Sequence, residues 1–79
     1  MRLLDQRGDR KLDSVTIYLT ADEARELRND LDRLLANPQE HHAHVMSEDY
    51  RKEITVSIYD EANLEGFDAR SKKLIREDI

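Results

Sequence analysis

A β-period that runs without a break into a capped helix constrains this chain more than any other feature. Val15, Ile17 and Leu19 alternate with Ser14, Thr16 and Tyr18, the two-residue repeat of a half-buried strand. Thr20 follows at the place of a helix N-cap, with Glu23 three residues later. That spacing is a capping box. The threonine oxygen accepts from a backbone N–H of the first turn, and the glutamate reaches back to the threonine N–H. The alternation returns in Ile54, Val56 and Ile58. Strand, helix and further strand in so short a chain predict an α+β fold.

The first strand is expected over residues 12–19 and the first helix over 21–36. Ala24, Leu27, Leu31, Leu34 and Leu35 recur at three- and four-residue spacings and predict the apolar face of that helix. Asp22 and Glu23 stand in its first turn, where the helix dipole favours negative charge. Pro38 disfavours a helical Asn37 and ends it. Residues 41–46 read as a short second strand, and Ser47-Glu48-Asp49 as a turn. The third strand, 52–59, is the most strongly β-forming and belongs at the centre of the sheet. Asp60 can cap a helical turn over 61–65, interrupted at Gly66. Asp68 can cap a last helix over 69–77, with Leu74 and Ile75 inward and Phe67 at its start. The predicted order is β-α-β-β-α. It makes a three-stranded sheet with the third strand between the first and second, and both helices on one face. Residues 1–11 lack a period and read as a flexible tail, or an edge strand turning at Gly8-Asp9; 12–79 read as one α+β domain.

Size and charge narrow the function classes. At 79 residues the chain can build one small core. It has no cysteine, which removes disulfides, thiolate metal sites and a cysteine nucleophile, and fits a cytoplasmic setting. No apolar run resembles a signal peptide or a membrane span. The net charge is −5, and it is unevenly placed. Residues 1–11 carry four basic and two acidic groups; residues 20–50 carry three basic and eight acidic ones. Such a balance repels a phosphate backbone and argues against nucleic acid, including at the Arg70, Lys72, Lys73, Arg76 stripe of the last helix.

Strand parity yields the candidate binding surface. If Val15, Ile17, Leu19, Ile54, Val56 and Ile58 face the helices, then Thr16, Tyr18, Thr55, Ser57 and Tyr59 share the opposite face. Tyrosines there suit a protein partner or a homodimer, since they offer contact area at low entropy cost. The plainer reading is a solvated sheet face, where Thr, Ser and Tyr are ordinary. If Val45 points inward, His42 and His44 join that face and become candidate metal ligands for Zn²⁺ or Ni²⁺. Two ligands are short of the four a structural zinc takes, so no cofactor is expected.

Catalytic motifs are missing. The serines lack a G-x-S-x-G setting, and Gly8 and Gly66 are too far apart to form a phosphate loop. Arg7-Gly8-Asp9 spells an integrin-binding tripeptide, too short to carry weight alone. The pattern V-T-I-Y-L-T-A-D-E-A-R-E-L, followed by E-I-T-V-S-I-Y, resembles small acidic bacterial α+β domains, a group that includes immunity proteins and antitoxins. That resemblance implies a non-enzymatic interaction module. The alternative is a metal-binding domain using His42 and His44.

Overall fold

A computed structural model describes residues 1–79. Its elements, in chain order, are β1 (Leu3–Asp5), β2 (Arg10–Leu12), α1 (Ala21–Ala36), a 3₁₀ turn (Pro38–Glu40), β3 (His42–Met46), β4 (Glu53–Ser57) and α2 (Ala69–Glu77). The class is α+β. The strands form two separate antiparallel pairs, β1 with β2 and β3 with β4. The chain divides into two compact units: Tyr18–Tyr59, and Met1–Ile17 together with Asp60–Ile79.

The 18–59 unit is α1 packed on the β3–β4 hairpin. Helix α1 starts where its capping box predicts. Thr20 Oγ1 accepts from the Glu23 N–H at 3.2 Å, and the Thr20 N–H donates to Glu23 Oε1 at 2.9 Å. At its far end the Asn37 N–H donates to the Arg33 carbonyl. The hairpin register pairs Ala43 with Val56 and Val45 with Ile54 on one face. Ala43 and Val45 are buried there with Leu34 of α1, which is 1% exposed. Burying a leucine so fully stabilises by roughly 1.5–3 kcal/mol.

The helix face differs from the predicted one. Leu34 is buried and Leu27 half-buried, but Ala24, Leu31 and Leu35 are exposed, Leu35 by 67%. Asp30 is buried in their stead, its carboxylate 2.9 Å from Arg33 Nη1, and Arg33 Nε reaches Glu40 Oε2 at 2.9 Å. A two-stranded hairpin is narrow. It covers the stripe through residues 27, 30 and 34, and the wider apolar arc spills past its edge.

The predicted three-stranded sheet is also corrected. Leu12 belongs to β2, and residues 14–19 lie in no strand and no sheet. The reason is that periodicity assigns side chains to faces, whereas a strand exists only where an edge receives its backbone. No backbone hydrogen bond outside the helices and strands involves residues 14–19.

In the other unit, residues 3–12 form a hairpin closed by Asp5. Its Oδ1 accepts from the N–H groups of Arg7 and Gly8, each at 3.1 Å. A Cβ on Gly8 would lie 2.7 Å from Asp5 Oδ2, so any larger residue there would displace the Asp5 carboxylate. Helix α2 begins at Asp68, whose Oδ1 accepts from the Ser71 N–H at 2.7 Å. Leu64, Leu74 and Ile75 are buried. Arg2 Nε donates to the Leu74 carbonyl at 3.0 Å, and Arg70 joins Asp9 Oδ1 at 2.6 Å to the Ile79 carbonyl at 2.7 Å. Asp9 of the Arg-Gly-Asp tripeptide is therefore engaged within the chain. Residues 61–65 form turns and not a helical turn, because Asp60 Oδ1 accepts from the Ala62 N–H and Asn63 Oδ1 from the Glu65 N–H. Side-chain acceptors two residues back favour such turns over helix.

Candidate interaction surface

The β3–β4 register brings part of the predicted surface together. His42 stands opposite Ser57 and His44 opposite Thr55, on the face away from the buried Ala43 and Val45. The two imidazoles meet edge to face with ring centroids 5.0 Å apart. His44 Nδ1 lies 2.5 Å from Glu53 Oε1 and 3.0 Å from Thr55 Oγ1, and the Thr55 hydroxyl donates to the same carboxylate at 3.3 Å. Glu53 is a member of this cluster that strand parity alone could have found, since it shares the parity of Thr55 and Ser57. The chain holds no group of three or more His, Asp or Glu side chains arranged for a metal ion. His42 and His44 offer two donors where a structural zinc takes four, and His44 already faces Glu53 and Thr55.

The remaining predicted residues are not joined to that face by strand pairing. Thr16 and Tyr18 lie in the 14–19 segment, outside any strand, and Tyr59 stands beyond the end of β4, half-buried. Within that segment Val15 is 50% exposed, Ile17 49% and Tyr18 90%. Leu19 is half-buried. These β-branched and aromatic side chains would normally pack on a sheet. Here they meet water beside a backbone whose donors and acceptors no strand receives.

One presented residue escaped the sequence. Tyr50 is 78% exposed and has φ of 60°, a left-handed conformation uncommon for an aromatic residue. Its loop is tied on several sides. Ser47 Oγ donates to Asp49 Oδ1 at 2.6 Å and accepts from the N–H groups of Arg51 and Lys52. Glu23 Oε2 accepts from the Glu48 N–H at 2.9 Å, fastening the loop to the start of α1. The Thr20 N–H and then the Glu48 N–H hold the Glu23 carboxyl below its ordinary value. The Ser47 hydroxyl and then the Arg51 N–H do the same for Asp49. Ser47 and Asp49 are ordinary turn formers in sequence; the left-handed tyrosine between them and β4 has no local signature.

No protein-family model, curated protein or solved structure matches the chain. No helix is long and apolar enough to cross a membrane.

Proposed function

We propose that this chain is a non-enzymatic protein-binding module, of the immunity- or antitoxin-like kind its sequence pattern resembles. The observation that carries the reading is segment 14–19, whose residues Val15, Ile17 and Tyr18 are exposed with no strand at their side. Apolar side chains next to unpaired backbone are what strand-adding partners recognise. The open face with His42, His44, Thr55 and Ser57 offers a second, polar contact area. The 18–59 unit carries five basic and nine acidic residues, a net of −4, which favours a protein partner with basic character over nucleic acid. The lack of cysteine supports a cytoplasmic setting. Metal binding at His42 and His44 has only the proximity of the two rings behind it. Stoichiometric Zn²⁺ retained through dialysis would revive it.

The test is a cross-linking pull-down from a lysate of the native host, with a Val15→Ala/Tyr18→Ala double variant as control, both positions being exposed. The reading expects the parent to capture a specific protein, with cross-links mapping to 14–19 and the hairpin face, and the folded variant to lose it. No specific partner with either bait, together with a monomer in solution, contradicts it.

A further inference from the structure

The exposed segment has a matching receptor on the same chain. Strand β4 pairs only with β3, so its other edge offers a free row of backbone donors and acceptors. Its sequence Glu53-Ile54-Thr55-Val56-Ser57 has the same apolar alternation as residues 14–19 and nearly the same length. An exposed alternating segment and a free alternating edge are the two halves of strand addition.

Charge selects the edge and the direction. Asp22 and Glu23 follow the segment, and Arg51 and Lys52 precede β4. Arg10 and Lys11 precede the segment, and Asp60 and Glu61 follow β4. Antiparallel pairing on β4 therefore sets Asp22 and Glu23 beside Arg51 and Lys52 at one end; at the other, Arg10 and Lys11 approach Asp60 and Glu61, with Asp13 the one like charge among them. Parallel pairing sets like on like. Strand β3 is the poorer receptor, because Glu40 precedes it and Glu48 and Asp49 follow it, so acidic Asp22 and Glu23 meet acid whichever way the segment runs.

Only one residue, Thr20, separates the segment from α1, where strand-to-helix connections usually take roughly two to six. A neighbouring copy supplies the edge without that tight reversal. Because every copy carries both segment and edge, two exchanges close a symmetric pair. We infer that residues 14–19 of one copy add antiparallel to β4 of a second copy, and reciprocally, making a strand-exchanged homodimer. In the register that sets all three apolar residues of the segment, Val15, Ile17 and Leu19, opposite Ile58, Val56 and Ile54, Tyr18 stands opposite Thr55. That pairing gathers Thr16, Tyr18, Thr55 and Ser57 on one outer face. This inference rests on the protein-binding reading and names its partner as the chain itself.

The chain's lack of cysteine makes the test clean. Full-length Tyr18→Cys and Thr55→Cys single variants are mixed and mildly oxidised, and masses are read without reductant. In parallel, sedimentation velocity follows the parent and a Thr16→Pro/Ile17→Pro variant across a wide concentration range. Adjacent prolines remove an N–H of either parity, so one of them strikes the pairing edge. They spare the isolated chain, where the segment has no strand partner. The expected results are a mixed cross-linked dimer, a parent that doubles its mass with concentration, and a proline variant with unchanged far-UV dichroism that stays monomeric. A parent monomeric throughout overturns the inference. So does a Tyr18→Cys/Thr55→Cys double variant that closes its disulfide within one chain. A monomer that still captures a cross-linked protein through 14–19 defeats the homodimer and leaves the protein-binding reading standing.

Discussion

Glu23 does two jobs with one carboxylate. Oε1 closes the capping box at Thr20, and Oε2 holds the Glu48 N–H of the β3–β4 loop. The first contact is legible in the T-x-x-E spacing. The second spans 25 residues and is not, because nothing local brings Glu48 there. Glu23, Asp49 and Asp68 are all held below their ordinary values by hydrogen bonds to their charged forms. The Ser71 N–H is the principal donor to Asp68. The sign follows from linkage: a lowered folded value means the unfolded chain binds protons first as pH falls. Their stabilisation is thus present above the ordinary values, 4.5 for Glu23 and 3.8 for the aspartates, and fades as pH drops through the lower folded ones. Thermal midpoints should be flat near neutrality and fall below about pH 4. Glu23→Gln should lower the neutral midpoint and shallow that acid slope; an unchanged slope would remove Glu23 from the account. Tyr50 gives a second prediction at this scale. A left-handed non-glycine residue costs roughly 1–2 kcal/mol, and glycine escapes that cost but loses up to about 1 kcal/mol in chain entropy. Urea titration should find Tyr50→Gly neutral to stabilising and Tyr50→Val destabilising by about 1 kcal/mol or more.

Among the elements, the two helices were the most legible. Helix α1 runs over Ala21–Ala36 and α2 over Ala69–Glu77, each starting after the capping residue that the sequence names. Caps are local chemistry, resolved within four residues, so a single sequence exposes them. The buried face of α1 was less legible, because its width is set by what packs against it. Five apolar residues suggest a broad arc, and the narrow β3–β4 hairpin covers less of it. Two leucines one residue apart should therefore behave differently. Leu34→Ala should cost about 2–5 kcal/mol by denaturant titration, enough to unfold much of so small a unit. Leu35→Ala should fall within roughly 0.5 kcal/mol of the parent in a monomer. Equal large losses at both positions would mean that the exposed side of α1 is covered in solution. The β3–β4 hairpin was legible in sequence but its facing was not: a two-residue period alone leaves open whether Val45 or its neighbours point inward, and the observed register turns Val45 in and His44 out.

At the scale of the whole molecule, the sequence describes a strand over residues 12–19, and the structure gives residues 14–19 a strand's alternating side chains without a strand's neighbour. Alternation is a property of one segment; pairing is a property of two, and the second can lie far along the chain or on another molecule. That gap between pattern and pairing divided the predicted surface. Register unites His42, His44, Thr55 and Ser57, while Thr16 and Tyr18 lie outside any strand. Residues 1–11 show the converse. Their hairpin depends on Asp5 accepting from Arg7 and Gly8 and on Arg70 reaching Asp9 across 61 residues. No period announces such contacts. The central claim is that residues 14–19 are a binding strand left open in the isolated chain. Amide hydrogen exchange tests it most directly, read residue by residue in dilute protein, in concentrated protein and with any captured partner added. The account predicts fast exchange at 14–19 in the dilute chain and at least about tenfold slowing in a bound state, with β4 amides slowing alongside in the homodimer. Fast exchange at 14–19 in every state, or strong protection already present in the dilute monomer, would contradict it.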